Sequence, residues 1–368
     1  MSNQDQNLAA TVNTTQGSYR VIVGRDVIDA LGLELQKTGL KGRAFLVVDE
    51  VMFPNPSRRA QEALERGGYE THVLALQIGE ANKNLETVQT VYDWLADLRA
   101  ERSDIVVAMG GGVTGDLVGF AAATWLRGVA VVQVPTSLAA MVDSSIGGKT
   151  GVNIPKGKNL LGAFHQPKLV LQDVGHLKTL PAREMSAGWA EAVKHGLILD
   201  AQLLDTFERL APQMKALEGD EPVAAIRRSV AIKGEIVSAD EFETGDHRVL
   251  LNYGHTIGHA IEKVSGYGTY LHGEAVAIGM MAAAGIAERM GMIDTELVDR
   301  QRRVLESYDL PVRASGLDVD SLIDATKSDK KSRGGTIRWV LLEGPGKATT
   351  RRDVPEEVIR ETVLAILD

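Results

Sequence analysis

Three of the eight histidines in this chain lie within one short stretch, residues 251–274. His255 and His259 are four residues apart, so a helix through both would place the two rings on one face, one turn apart. A pair with this spacing can bind a metal ion or relay a proton, and it can equally be a hydrogen-bonded pair inside a core. His272 supplies a third imidazole. The stretch therefore contains a candidate metal or proton-transfer site.

Glu191 is the candidate carboxylate partner of these histidines. It lies in the run SAGWAEAVKHG beside apolar residues, where an ionised side chain needs a partner. Glu191, His255 and His272 would supply one carboxylate and two imidazoles and leave positions open for substrate oxygens, as in a catalytic zinc site. His259 would then be free to act as an acid or a base. Because the chain has no cysteine, a metal must be held by nitrogen and oxygen.

A glycine loop is the second chemical signal. Residues 104–109 read as a buried strand that runs directly into Gly110, Gly112 and Gly115, which fit the pattern GxGxxG. Between a strand and a helix, this pattern lets the backbone approach a pyrophosphate at the helix N-terminus, although it can also be a structural turn. No suitable acid follows about 20 residues later, where a dinucleotide-binding unit would have one. Asp49, at the end of an earlier strand, is therefore the candidate ribose ligand.

A set of basic residues could bind an anion. Several lie in glycine-rich or turn-like settings, such as residues 147–151 and 157–162. Taken singly, each is more typical of a solvated surface charge. Together, beside a glycine loop, they could clamp an anionic substrate, with lysine as a point charge and arginine as a fork. The set comprises Arg127, Lys149, Lys156, Lys158, Lys194, Lys233, Arg248, Lys330 and Lys331.

Alternating strands and helices must position the glycine loop. The pattern predicts strands at 19–23, 43–49, 71–76, 104–109 and 129–134, and helices at 57–66, 85–99 and 117–125. This alternation implies a parallel sheet with helices packed on both of its faces. We therefore expect an α/β, Rossmann-like, nucleotide-binding N-terminal domain over residues 1–180, with residues 1–7 as a mobile tail.

Helical spacing dominates from residue 181 onward. It predicts helices at 182–199, 203–210, 222–237, 251–264, 274–290 and 295–307, and one late strand at 336–342. We expect residues 181–368 to form a mostly α-helical C-terminal domain that binds metal and substrate. A chain of 368 residues is long enough for two domains, since single cores stop growing at roughly 250–300 residues.

Charge and hydropathy exclude other classes. The net charge of -9 argues against a nucleic-acid-binding protein with a basic surface, although a local basic cleft remains compatible with it. The sequence has neither an apolar run long enough for a membrane span nor a signal-peptide pattern. We expect a cytoplasmic protein with a small-molecule substrate and neither a nucleic acid nor a membrane as partner.

Several motifs follow one another along the chain, namely GGGVTGDLVGFAAATWLRG, VPTSLAAMVDSSIGGKTGVN, PKGKNLLGAFHQP, GWAEAVKHG, LLNYGHTIGHAIE, HGEAVAIGM and SDKK. Together and in this order they resemble the 3-dehydroquinate synthase family, NAD-dependent enzymes that form the first ring of the shikimate pathway. The resemblance runs from about residue 19 to residue 342. It implies a dehydroquinate synthase-like fold, NAD and a divalent metal (zinc or cobalt) as cofactors, and a homodimer.

The resemblance also implies roles for individual residues. The metal ligands would be Glu191, His255 and His272. NAD would contact Asp49, Glu80, Lys83, Gly111, Gly112, Val113, Asp116, Thr136, Ser137, Lys158 and Thr179. The substrate would be held by Arg127, Asp143, Lys149, Asn159, Lys194, Lys233, Arg248, Asn252 and one of Lys330 and Lys331, with Lys331 favoured. Catalysis would use Glu243 and His259 for proton transfer, with Lys149 and Lys194.

The reaction implied by the resemblance converts 3-deoxy-D-arabino-heptulosonate 7-phosphate to 3-dehydroquinate and phosphate. Oxidation at C5 acidifies the neighbouring proton, phosphate leaves by elimination, the ketone is reduced again, and the ring opens and closes in an aldol step. A bound metal would favour this chemistry by polarising the C5 oxygen. The alternatives are another sugar phosphate cyclase, a metal-dependent glycerol-type dehydrogenase and an NAD-sensing protein that has lost catalysis.

One segment departs from the family pattern. Between Glu243 and Asn252 the chain reads ETGDHRVLLN, whereas the family usually has a single apolar residue between the glycine and the arginine. Asp246 and His247 make this segment one residue longer. We expect a bulge that keeps Arg248 in place, because the histidine motif that follows is intact.

Overall fold

The computed structural model describes residues 6–52, 55–245, 247–266, 268–328 and 337–368. The chain divides into two compact units. The first unit comprises Met1–Leu180 and Ile226–Phe242, and the second comprises Pro181–Ala225 and Glu243–Asp368. The assignment of NAD binding to residues 1–180 and of metal and substrate binding to residues 181–368 stays a prediction.

The first unit is built on a seven-stranded sheet. Its strands are β1 (Leu8–Thr14), β2 (Gly17–Gly24), β3 (Ala44–Asp49), β4 (Thr71–Leu76), β5 (Ile105–Gly110), β6 (Ala130–Pro135) and β9 (Leu169–Asp173). Their order across the sheet is β1-β2-β9-β6-β5-β3-β4. All neighbours pair in parallel except β1 and β2, which form an antiparallel edge. A separate hairpin pairs β7 (Lys149–Ile154) with β8 (Gly157–Phe164).

Helices cover both faces of this sheet. They are α1 (Leu31–Gln36), α2 (Asn55–Arg66), α3 (Leu85–Asp97) and α4 (Gly112–Thr124). Successive residues of β3 point to opposite faces, so Leu46 joins one buried apolar cluster while Phe45 and Val47 join the other. Strands buried on both faces give the continuous apolar runs seen in the sequence. The predicted α/β architecture with a parallel sheet is confirmed.

The second unit is mainly helical, as predicted. It contains α5 (Ala182–Leu199), α6 (Ala201–Arg209), α7 (Ala211–Ala216), α9 (His255–Val264), α10 (His272–Arg289), α11 (Thr295–Ser307), α12 (Val319–Ser328) and α13 (Glu356–Ala365). A small antiparallel hairpin joins β10 (Trp339–Gly344) to β11 (Lys347–Arg351). The division between the units falls inside α8 (Glu221–Ala239). Among the described residues, no helix has the length and apolar character needed to cross a membrane.

Some local predictions were wrong. The helix predicted over 251–264 begins only at His255, because Gly254 has a φ of 81° and the residues before it, Arg248–Asn252, form a 3-10 turn. The segments near Lys149 and Lys158, described from the sequence as glycine-rich or turn-like and not predicted as strands, pair as β7 and β8. Of the predicted tail, residues 1–5 lie outside the described residues, whereas the Asn7 carbonyl accepts a hydrogen bond from the Val23 amide at 2.8 Å.

Candidate active site

Glycines let three helices of the second unit approach one another closely. A Cβ added to Gly273 at the start of α10 would lie 1.9 Å from the carbonyl oxygen of Ala187 in α5. A Cβ added to Gly279 would lie 2.0 Å from the carbonyl oxygen of Gly254, just before α9. Only glycine fits where two backbones meet at such distances. The contacts therefore bring α5, α9 and α10 together at one end of α10.

This packing gathers the three metal ligands proposed from the sequence. Oε1 of Glu191 lies 3.7 Å from Nε2 of His255 and 3.6 Å from Nε2 of His272. One ligand atom from each residue lies within 4.8 Å of the others, so a cation could sit among them at the usual bond length of about 2 Å. The Glu191 side chain is 1% exposed, and within the described residues its Oε1 accepts no hydrogen bond. A buried, unpaired carboxylate oxygen is costly, so the site fits a divalent metal.

The hydrogen bonds of the two histidines orient their rings for a metal. Nδ1 of His255 lies 3.2 Å from the carbonyl oxygen of Tyr253, which can only accept a hydrogen bond. Nδ1 of His272 lies 3.2 Å from Oε2 of Glu262. Each Nδ1 therefore carries the proton, and each Nε2 turns its lone pair toward Glu191. This is the tautomer that metal binding through Nε2 requires.

Burial and charge keep His255 neutral. Desolvation lowers the pKa of His255 well below its ordinary value, and the positive charge of Lys194 lowers it further. Lys194 also donates a hydrogen bond to Oε2 of Glu191, and both side chains are 1% exposed. Because a metal binds only the neutral imidazole, the lowered pKa keeps His255 in the form that a metal requires.

His259 lies beside the three ligands without belonging to the group around Glu191. Its ring centroid is 5.3 Å from that of His255 and 5.9 Å from that of His272. One of its nitrogens falls within 4.8 Å of ligand atoms of Glu262 and His272, which form a second group. His259 is exposed, so a proton on its ring can reach a bound molecule or water. This placement suits an acid or base adjacent to a metal.

The described end of the segment that departs from the family pattern, Arg248–Asn252, forms a 3-10 turn. Arg248 begins the 3-10 turn and is 2% exposed. Nδ2 of Asn252 donates to Oε1 of Glu243 at 3.0 Å, which joins two of the predicted site residues. Glu243 has a φ of 57°, an uncommon conformation for a residue other than glycine. Asp246, Lys330 and Lys331 lie outside the described residues.

The first unit has the predicted strand, glycine loop and helix. Gly111 caps α4, and Gly112 and Val113 begin its first turn, so their amides lie at the helix N-terminus that would face a phosphate. Asp49 ends β3, and Thr136 and Ser137 directly follow β6. These positions share the carboxyl edge of parallel strands, where α/β sheets bind ligands. Burial raises the pKa of Asp49 above its ordinary value.

A polar network in the same unit joins residues predicted to bind NAD with one predicted to bind substrate. Nζ of Lys83 donates to Asp116 at 2.6 Å and to Asn159 at 2.7 Å, and Lys83 is 5% exposed. Burial raises the pKa of Asp116 to about 6, against the opposing effect of the Lys83 charge. Lys158 and Glu80 form an ion pair at 3.2 Å.

The other predicted residues of the first unit lie on different elements. Nζ of Lys233 donates to Oδ1 of Asp143. Lys149 is exposed at the start of β7. Arg127 is exposed in a left-handed conformation with φ 68°. Thr179 donates to the carbonyl oxygen of His176 at 2.9 Å.

Sequence reasoning missed Glu262 and Tyr253, the acceptors at Nδ1 of the two candidate metal-binding histidines. Glu262 follows His259 by three residues in α9, so the helical spacing places it on the histidine face. That spacing was a signal that could have identified it. Tyr253 acts through its backbone carbonyl, which every residue has, so its residue type could not identify it.

Family models match most of the described chain. The model for the 3-dehydroquinate synthase N-terminal region matches residues 73–187, and the model for the C-terminal region matches residues 188–332. This chain belongs to the 3-dehydroquinate synthase family. The predicted family resemblance is thereby confirmed.

Individual relatives agree with this family membership. A 3-dehydroquinate synthase from Nostoc punctiforme is 46% identical over 356 residues, covering 96% of this chain and 98% of that protein. The structure of 2-epi-5-epi-valiolone synthase from Streptomyces hygroscopicus subsp. jinggangensis, with NAD+ and Zn2+ bound, has a TM-score of 0.86 at 30% identity and covers 96% of this chain and 98% of its own. A 2-deoxy-scyllo-inosose synthase complexed with carbaglucose-6-phosphate, NAD+ and Co2+ has a TM-score of 0.82 at 29% identity, with coverages of 96% and 98%. The predicted dehydroquinate synthase-like fold is confirmed.

Proposed function

We propose that this chain is an NAD- and metal-dependent lyase that converts 3-deoxy-D-arabino-heptulosonate 7-phosphate to 3-dehydroquinate and phosphate. The observation that carries the proposal is the convergence of the buried Glu191 carboxylate with the Nε2 atoms of His255 and His272, in a chain 46% identical to a 3-dehydroquinate synthase. When bound, the metal would polarise a substrate oxygen, and NAD would accept a hydride and return it.

The protein's own residues would hold these groups. Glu191, His255 and His272 are the proposed metal ligands. In the first unit, the proposed NAD contacts are Asp49, Glu80, Lys83, Gly111, Gly112, Val113, Asp116, Thr136, Ser137, Lys158 and Thr179. The amides at the start of α4 supply fixed positive dipoles for the pyrophosphate, so part of this binding needs no side chain.

The proposed substrate residues suit a phosphorylated sugar acid. Those in the first unit are Arg127, Asp143, Lys149, Asn159 and Lys233, and those in the second are Lys194, Arg248, Asn252 and, outside the described residues, Lys331. Lysine and arginine bind phosphate and carboxylate through charge-assisted hydrogen bonds. His259 and Glu243 are proposed to move protons, with Asn252 holding the Glu243 carboxylate in place at 3.0 Å.

The deciding experiment compares substrates. The purified chain, supplied with NAD and Zn2+ or Co2+, is expected to release phosphate from the heptulosonate phosphate and to form 3-dehydroquinate. The second candidate function, another sugar phosphate cyclase, is favoured by the likeness to the valiolone and inosose synthases. Phosphate release from sedoheptulose 7-phosphate or glucose 6-phosphate, but not from the heptulosonate phosphate, would overturn our proposal in favour of that candidate.

A metal test accompanies the substrate test. The variant His272→Ala is expected to lose both bound metal and activity, because it removes one of three ligands. His247→Ala is the matched control, since His247 is exposed in the same unit. Activity that survives a strong chelator, or full metal content in His272→Ala, would contradict the ligand set. A homodimer in the cytoplasm is the proposed assembly and location, to be tested by light scattering and cell fractionation.

A further inference from the structure

The ring of His272 lies between two carboxylates. Nε2 is 3.6 Å from Oε1 of Glu191, and Nδ1 is 3.2 Å from Oε2 of Glu262. His272 is the first residue of α10, and its side chain is 44% exposed. Neither burial nor a preceding helical turn therefore fixes the ring, although the rings of His255 and His259 lie beside it. The polar groups at its two nitrogens therefore contribute to its orientation.

The two metal-binding histidines differ in what holds Nδ1. For His255 the acceptor is the backbone carbonyl of Tyr253, and the hydroxyl of that tyrosine donates to Gln301 at 2.8 Å in the core. For His272 the acceptor is the side chain of Glu262. A single substitution can therefore remove the Nδ1 acceptor of His272 while it leaves the acceptor of His255 in place.

Glu262 is held firmly enough to orient a partner. Its side chain is 11% exposed, and it lies on the face of α9 that also carries His255 and His259. Close packing supports this position, because a Cβ added to Gly258 in α9 would lie 3.1 Å from the carbonyl oxygen of Ala275 in α10. Backbone contact thus limits the separation of the two helices at Gly258, one turn before Glu262.

The same residues do not form an independent metal site. His259, Glu262 and His272 offer ligand atoms within 4.8 Å of one another. However, a neutral imidazole has one lone pair, and Nε2 of His272 directs it toward Glu191. Nδ1 carries a proton and donates it to Glu262. A second cation at Nδ1 would have to displace that proton.

We propose that Glu262 is a positioning residue: its carboxylate fixes the tautomer and ring orientation of His272 and so strengthens metal binding at Glu191, His255 and His272. This inference rests on the ligand set of the proposed function. A carboxylate that accepts from a ligating histidine also raises the basicity of the other nitrogen, and loss of such a partner typically weakens metal binding by about 10–100-fold.

The test measures metal affinity in the full-length chain. Wild type, Glu262→Ala, Glu262→Gln and the control Glu274→Gln are stripped of metal and titrated with Zn2+ and Co2+ against a chromophoric chelator. Glu274 is a matched control because it lies two residues after His272, but its carboxylate pairs with Arg183 and accepts from the Leu271 amide. The Co2+ absorption spectrum reports the ligand geometry, and circular dichroism of each metal-free variant reports its fold.

We expect Glu262→Ala to bind metal about 10–100-fold more weakly. Glu262→Gln should lose less, because its amide oxygen still accepts from Nδ1, and Glu274→Gln should match wild type. If Glu262→Ala does not fold, an affinity of Glu262→Gln between those of wild type and His272→Ala still supports the proposal. A wild-type affinity of Glu262→Gln with an unchanged Co2+ spectrum, or a loss as large as in His272→Ala, overturns it.

Three results would overturn the positioning role. They are wild-type affinity in Glu262→Ala, an equal loss in Glu274→Gln, and two metals per wild-type chain that fall to one in Glu262→Ala. A wild-type chain that binds no metal would instead refute the ligand set itself, and this inference with it. The two failures are therefore distinguishable.

Discussion

Replacing Gly273 with alanine tests whether backbone contact between α5 and α10 assembles the metal site. The new Cβ would lie 1.9 Å from the carbonyl oxygen of Ala187. The nearest atoms all belong to the Ala187 backbone, so the clash cannot be relieved by rotating a side chain. To reach the 3.0–3.4 Å of a tight contact, the helices must separate by about 1.1–1.5 Å. Glu191 lies in α5 and His272 begins α10, so the separation acts directly on two of the proposed ligands.

The structure sets the expected size of the effect. Metal–ligand distances tolerate deviations of about 0.2 Å, far less than this separation. We expect metal affinity to fall at least about 100-fold, beyond what loss of an outer partner costs. Overpacking of this kind also costs about 1–3 kcal/mol of stability. Metal affinity is measured by chelator competition, and stability by thermal unfolding of the metal-free protein.

Gly285→Ala is the matched control in the same helix. Its Cβ would meet side-chain atoms, at 3.0 Å from Cγ2 of Thr362 and 3.4 Å from Nη1 of Arg289, and these can adjust. Because alanine also favours a helix over glycine by up to about 1 kcal/mol, we expect near wild-type stability and metal affinity. If Gly273→Ala binds metal as tightly as Gly285→Ala, the reasoning about helix separation is refuted.

Three further perturbations follow from the site. His259→Asn is expected to retain one equivalent of metal by elemental analysis while the turnover rate falls by about 100–10,000-fold, and loss of metal would contradict its separate role. Because the pKa of Asp116 is raised to about 6, the folded state binds its proton more tightly than the unfolded state, so stability should fall by about 1 kcal/mol per unit as pH rises from about 4 to 6. Asp116→Asn should lack this dependence, and parallel thermal unfolding curves from pH 4 to 7 would argue against it. Lys194→Met leaves the Glu191 carboxylate buried without its ammonium partner, so the metal-free protein should lose about 3–5 kcal/mol of stability. The loss should be smaller in the metal-loaded protein. Equal losses of stability in the metal-free and metal-loaded proteins would be inconsistent with this account.

The elements that the sequence predicted best are those buried through regular apolar patterns. The predicted bounds of β4, α5 and α11 coincide with the observed ones. For α11, helical apolar spacing places Leu297, Val298 and Val304 in the core. Such elements can be predicted from the sequence because the apolar spacing that indicates them lies within the element itself.

The hairpin of β7 and β8 could not be predicted in this way. Its residues mix glycines and polar side chains with apolar ones such as Val152 and Leu160, and its geometry depends on contact between two separate segments. A Cβ added to Gly162 would lie 2.3 Å from the carbonyl oxygen of Thr150, so the glycine is needed because of its partner strand. The glycines were read as turn signals, and their role in close strand pairing is visible only in three dimensions.

The proposed ligands of the candidate site could be named from the sequence, whereas the groups that support them could not. Glu191, His255 and His272 could be proposed from residue type, because few side chains bind metals and the chain has no cysteine. The orienting role of Glu262 depends on the helix separation set by Gly258 and its neighbours. That separation is a property of the folded backbone.

The inclusion of residues 226–242 in the first unit has a consequence for protein engineering. The Asn13 amide donates to Oγ of Ser238 at 2.9 Å, and Lys233 pairs with Asp143, so this late segment stabilises elements encoded far earlier in the gene. In a chimera of two family members joined once at residue 180, residues 226–242 would come from one parent and the residues that they contact would come from the other. With two further crossovers, at residues 225 and 242, the segment and the strands that it contacts would come from the same parent.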